Sequence, residues 1–261
     1  MGVPVTATIE IEHKKGAAVL RLSNQAKLNA LTGDILRALP GQLDDLAADE
    51  GVAAVIVIGT GSRAFCAGAD INEWSGYEPF EFAREWIALG HRAFDRLASF
   101  PKPVIAAVNG LCFGGGLELA GACDMRVASA SALFGLPEAS IGISPGWSGV
   151  QRLARSVPDA ILREMALTGA RLSAARMAEV GFVNTVVDGD PLPAALEIAA
   201  RVEGLAPRAV EVTKAVLNAS AGEAQALLLD QLAGALLSKT EDMAEGAASF
   251  RDKRKPEFKG R

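Results

Sequence analysis

Histidine is nearly absent from this chain: its 261 residues hold two, His13 and His91. A Ser–His–Asp triad or a histidine metal cluster needs more than two residues so far apart in sequence. His13 falls in a turn between two strand-like segments and His91 inside a helical one, so both read as surface or packing residues. Cysteine is also scarce. Cys66, Cys112 and Cys123 form no CxxC and leave an odd count, and their apolar surroundings suit buried free thiols in a reducing compartment. An excess of basic residues is missing, with 26 against 31 acidic and a net charge of −5, so no nucleic-acid partner is expected. No apolar run approaches the roughly 20 residues that span a bilayer. The opening MGVPVTATIEIEHKKG has no basic-then-apolar leader. Internal repeats and low-complexity segments are lacking as well. The expectation is a cytoplasmic protein with no membrane partner.

What the chain does contain is enough apolar material for a substantial core, 50% of its residues. Residues 6–12 alternate (TATIEIE) and 17–22 run apolar after a His-Lys-Lys-Gly turn, the pattern of a hairpin. Residues 32–48 carry Ile35, Leu36, Leu39, Leu43 and Leu46 at helical spacing, with Thr32 placed to cap. The run VAAVIVI (52–58) suits a parallel strand covered on both faces. Residues 80–100 read as mostly helix, 104–108 and 125–129 as strands, and 133–145 as loop, punctuated by Gly135, Pro137, Gly142 and Pro145. Helices follow over 148–156 and 159–168, with another capped by Ser173, then a short strand over 182–187. From 192 onward everything reads helical, with breaks at Pro207, near Gly222 and at Pro256. Strands alternating with helices and then helices alone predict an α/β core, residues 1–195, with a helical appendage, 196–261.

The chemistry concentrates in residues 103–127, PVIAAVNGLCFGGGLELAGACDMRV. An apolar β-branched run turns at Asn109-Gly110, and Gly114-Gly115-Gly116 lead into a short Leu/Ala-rich helix. Glycines at a helix start leave N–H groups bare and let an anion approach, and Glu118 sets a carboxylate in the first turn beside them. Three glycines also permit tight strand–helix packing, and the helix dipole favours a first-turn acid in any case. Gly59-Thr60-Gly61-Ser62-Arg63-Ala64 matches GxGxxA, but a small-residue loop follows where a dinucleotide site needs a helix. Carboxylate chemistry remains. Glu138, in FGLPE, follows Glu118 by 20 residues (138 − 118), and one strand between them could return both to one end of a sheet.

These residues resemble the crotonase superfamily, the enoyl-CoA hydratase/isomerase group, over 9–260. The resemblance rests on Asn29-Ala30-Leu31, AFCAGADI (64–71), PVIAAVNGLCFGGGLELAGACD, FGLPEASIGISPG with Gln151-Arg152-Leu153 behind it, and the ending FRDKRKPEFKGR. It implies a spiral of ββα units with a C-terminal helical trimerisation region, and a homo-trimer or dimer of trimers. It also implies an acyl-CoA thioester substrate and no metal or redox cofactor, coenzyme A being part of the substrate. Carried over by position, the N–H groups of Ala69 and Gly115 would form an oxyanion hole, and Glu118 and Glu138 would be the catalytic acids. Ala67, Gly68, Asp70, Ile71, Gly114, Gly116, Pro137, Gly146, Trp147 and Lys253 would contact the substrate.

Both acids are glutamate in the hydratases of this superfamily, whereas isomerase, decarboxylase and thioester-hydrolase branches commonly lack one. Hydration of a 2-enoyl-CoA is therefore the expected reaction, ahead of an isomerase or a hydratase of an unusual acyl-CoA. A catalytically idle CoA-binding scaffold would have no use for the pair. Departures from the pattern fall at four places, the last spanning Trp147 and Val150. Asn24-Gln25 replaces an Arg-Pro, Asn72 stands where a lysine is common, and Gly234 where an aromatic often covers the CoA. Trp147 stands where small residues are usual, which would reshape or shorten the acyl pocket.

Overall fold

The computed structural model describes residues 7–261, apart from the Ala226 side chain, so Thr6, the expected start of the first strand, lies outside the described residues. Strands β1 (Thr8–Lys14) and β2 (Ala17–Ser23) pair antiparallel around a two-residue turn in which Gly16 takes φ +67°, a value glycine adopts without strain. Helix α1 (Gly33–Ala48) is capped by Thr32, whose hydroxyl accepts from Ile35 N. Strand β3 (Ala54–Gly59) is buried throughout. With β5 (Val104–Val108), β7 (Met125–Ser129) and β10 (Thr185–Val187) it completes a six-stranded sheet, order β1-β2-β3-β5-β7-β10, parallel from β2 onward.

Both faces of this sheet are covered, which is why its strands are uninterrupted apolar runs rather than alternating ones. Val55, Val57, Val104 and Ala106 face the larger core with Leu36, Leu43 and Phe94. Ile56, Ile58, Ile105 and Ala107 face a smaller one closed by Leu192, Ala195 and Ala199 of α9 (Leu192–Glu203). The division expected at 195/196 thus falls inside a helix that packs on the sheet. The chain forms two compact units, one running to Glu211 and one from Val212 to Arg261. Helix α10 (Pro207–Ser220) crosses that boundary, and α11 (Gln225–Leu237) and α12 (Glu241–Asp252) lie in the second unit. Among the described residues no helix is long and apolar enough to cross a membrane.

A second sheet escapes the sequence patterns. Strands β4 (Ala64–Cys66), β6 (Leu111–Phe113), β8 (Leu133–Gly135) and β9 (Arg171–Ser173) lie in that order, the first three parallel and β9 antiparallel to β8. Segment 133–145, expected as loop, therefore contains β8 and a 3-10 turn, Glu138–Ile141. The chain alternates between sheets, β3 to β4, β5 to β6 and β7 to β8, and each pair is followed by helix. After β4 come α2 (Ile71–Trp74), α3 (Pro79–Glu81), a π-helical stretch Phe82–Ile87 and α4 (Ala88–Ala98). After β6 comes α5 (Gly115–Gly121), and after β8 come α6 (Gly149–Leu153) and α7 (Asp159–Thr168); α8 (Ala174–Glu179), capped by Ser173, follows β9. This alternation is the ββα repeat.

Candidate active site

The parallel pairing of β4, β6 and β8 decides where the functional residues meet. Cys66 pairs with Cys112, Cys112 with Phe134, and Phe113 with Gly135, so the three strands end side by side. The loop 67–70, the start of α5 and the turn holding Glu138 all leave from that one edge. Gly114 N donates to Gly135 O at 3.0 Å, tying two of these exits together. Gly114 itself takes φ +52°, ψ −126°, a conformation that a side chain makes strained.

Two backbone N–H groups are left unclaimed there. Leu31 pairs with the 67–70 loop through Leu31 N to Gly68 O and Asp70 N to Leu31 O, both 2.8 Å. Those bonds use the groups on either side of Ala69, so its own N–H takes no part. Gly115 is the first residue of α5, where N–H groups have no partner within the helix. A methyl group placed on Gly115 would lie 3.5 Å from Ala69 N, which puts the two donors at close range. Both residues line a cavity of about 870 Å³.

Glu118 and Glu138 line the same cavity and are 3% and 8% exposed. That burial rules out their being solvated surface acids. Glu118 Oε1 accepts from Gly149 N at 3.2 Å, and the Gly146 N–H also favours the ionised carboxyl. Its pKa is pushed up to about 8, by burial and then by the charge of Glu138, against the pull of those two donors and of Arg152. Burial raises Glu138 as well, with its own backbone N–H acting the other way, and its Oε2 has no hydrogen-bond partner among the described residues. Two adjoining carboxyls in a dry site hold one proton between them over a range of pH. Glycines make the room. A methyl on Gly149 would sit 2.1 Å from Glu118 Cγ, and one on Gly114 2.8 Å from Glu138 Oε1.

Of the residues expected at the substrate, Ala67, Gly68, Ala69, Ile71, Gly114, Gly115, Pro137, Gly146 and Trp147 line the cavity with the two glutamates. Asp70 and Gly116 do not. The Asp70 carboxylate is spent on structure, pairing with Lys27 Nζ at 2.5 Å and capping α2 at Asn72 N, 3.1 Å. Gly116 faces the strand behind it, where a methyl would meet Cys66 O at 2.1 Å. Lys253 caps α12 in the second unit, with φ +54°. The three cysteines are free and buried, and burial pushes the Cys66 thiol up to about 12 and raises Cys112 as well, so neither of these two supplies a thiolate. The sequence reading missed Phe82, Trp86 and Ile87 of the π-helical stretch, which wall the cavity, and His91. His91 is no mere packing residue: its Nδ1 lies 3.0 Å from Ser148 Oγ at the cavity wall. A partner 57 positions away leaves no local signal.

Comparison with known proteins agrees with this geometry. The profile of the enoyl-CoA hydratase/isomerase family matches residues 12–261. The short-chain-enoyl-CoA hydratase of Clostridium acetobutylicum is 38% identical, over 96% of this chain and 97% of its own. The crotonyl-CoA hydratase of Syntrophomonas wolfei is 36% identical, also over 96% and 97%. Among solved structures, an enoyl-CoA hydratase from Bacillus anthracis superposes with a TM-score of 0.79 at 33% identity, covering 97% of this chain and 99% of that one. Full-length matches at this level, together with the alternating two-sheet ββα repeat, place the chain in the enoyl-CoA hydratase/isomerase family of the crotonase superfamily.

Proposed function

We propose that the protein is an enoyl-CoA hydratase, adding water reversibly across the C2–C3 double bond of a 2-enoyl-CoA thioester. The observation that carries this reading is the convergence of two buried carboxyls and two unclaimed backbone N–H groups on one cavity. Hydration drives negative charge onto the thioester oxygen, and the N–H groups of Ala69 and Gly115 receive it. Preorganised donors in a water-poor site lower such a barrier, at about 3 kcal/mol per donor. Burial and the Glu138 charge keep the shared proton on Glu118 near neutral pH; in the competent form it has passed to Glu138, and the Glu118 carboxylate, held by the Gly149 N–H, takes a proton from the attacking water. Glu138, with an unpartnered oxygen, holds the proton that goes to C2. The C-terminal unit, with Leu229, Leu232, Leu236 and Leu237 exposed on α11, fits assembly as a trimer or dimer of trimers.

Mixing the protein with crotonyl-CoA and following loss of the enoyl-thioester absorbance tests the reading; no loss at micromolar enzyme would refute it. The pH dependence is a second check. Only the singly protonated pair is competent, so kcat/KM should be bell-shaped. Its alkaline limb should lie at about pH 8, where the second proton leaves, and its acid limb above the ordinary carboxylate value, because burial raises Glu138 too. A flat profile between pH 7 and 9.5 would contradict the shared proton.

A further inference from the structure

Trp147 is an expensive residue where it stands. Its backbone takes φ +47° and Ser148, next in the chain, takes φ +61°, a left-handed pair that glycine would adopt more easily. Its side chain is buried while its indole N–H has no partner among the described residues, a loss that phenylalanine would avoid. It also requires Gly90 in the first turn of α4, which continues the π-helical stretch and where alanine is the better helix former: a methyl there would meet indole Cε2 and Nε1 at 2.1 Å. The neighbours of the turn enforce the arrangement. Gly90, His91, Phe94 and Asp95 share one face of α4. Gly90 seats the pyrrole edge, Phe94 packs edge-on to the ring at 5.3 Å, and His91 holds Ser148. Asp95 binds Arg152 at 2.6 Å, and Arg152 donates to the Trp147 carbonyl at 3.4 Å.

The opposite edge of the ring explains what this arrangement serves. Indole Cζ3 would lie 2.9 Å from a methyl on Gly115, so the ring reaches from α4 to the backbone that carries one of the two unclaimed donors. Trp86 extends the surface, its ring centre 5.5 Å from that of Trp147. We propose that Trp147, seated against Gly90, is the acyl-length determinant of the site: it closes the cavity on the α4 side, so that an acyl group of crotonyl size fits and a long one meets an aromatic wall. The inference rests on the reading of the ligand as an acyl-CoA thioester held at Ala69 and Gly115.

In an open apolar channel each added methylene strengthens binding, and a wall reverses that trend. Isothermal titration with butyryl-CoA and decanoyl-CoA, saturated esters that cannot be hydrated, reads the effect directly. The protein as it exists should bind the butyryl ester at least about tenfold more tightly than the decanoyl ester. Trp147→Ala should bring the ratio to about one or invert it, and Trp147→Phe, which keeps an aromatic against Phe94 and Trp86, should fall between. A preference of the unaltered protein for the decanoyl ester overturns the inference, as does an unchanged ratio in both variants, or binding of neither ester. Hydration assays with crotonyl-CoA and trans-2-decenoyl-CoA separate this outcome from that of the hydratase reading. Equal kcat/KM on both sinks the length determinant alone, whereas butyryl-selective binding without hydration sinks the hydratase reading alone.

Discussion

Replacing either glutamate by glutamine should lower crotonyl-CoA hydration by about 10²–10⁴-fold in kcat, the usual contribution of a positioned acid or base, while circular dichroism shows an intact fold. Glutamine keeps the shape and the oxygen that accepts from Gly149 N but cannot exchange a proton. Glu118→Gln should carry a second signature, in stability. Burial and the neighbouring charge raise the Glu118 pKa from 4.5 to about 8, so the folded state binds its proton more tightly than the unfolded chain does. Stability tied to that proton is complete below pH 4.5, where both states are protonated, and is lost as pH rises toward 8. At about 1.4 kcal/mol per pH unit, the loss is a few kcal/mol at most. Denaturant titrations at pH 5 and pH 8 should show a smaller drop in Glu118→Gln than in the unaltered protein. Near-full activity in either variant would end the two-glutamate mechanism.

The same residues show what was legible before the structure. The apolar run 52–58, the hairpin and the glycine-opened helix each announce themselves through local chemistry, and local chemistry is retained on folding. Glu118 stood out because glycines precede it. Glu138 stood out only as a carboxylate in a Gly/Pro-bearing element, and its pairing with Glu118 came from the resemblance. The edge that unites them stayed hidden for a physical reason. Strands β4, β6 and β8 are three residues each, too short for a period of two to register against a loop. Their partners are 47 and 22 positions away in the paired registers Ala64–Leu111 and Leu111–Leu133. The spacing of the glutamates suggested one end of a sheet, and the strands whose ends bring them together are those of the short sheet. Asp70 lies inside a motif, and its carboxylate is engaged by Lys27 and by Asn72 N, partners that the motif does not announce.

Gly114→Ala should cost both stability and rate. At φ +52°, ψ −126° an alanine is strained whatever surrounds it, at a cost of about 1–3 kcal/mol in stability. The added carbon would also sit 2.8 Å from Glu138 Oε1. The carboxyl must swing aside, or the β6–α5 turn must open and carry Gly115 N–H with it. Either movement disturbs the relation between the Glu138 carboxyl and Gly115 N–H, and misplacement of about 1 Å at a catalytic group costs about 10²-fold in rate. Gly76→Ala is the matched control, since nothing lies within 4 Å of a methyl there, and it should change neither quantity. Measuring kcat/KM beside the unfolding midpoint separates the two effects. A Gly114→Ala protein that loses stability but retains full activity would show that the turn serves folding alone, and that Gly115 N–H and Glu138 need no fixed relation.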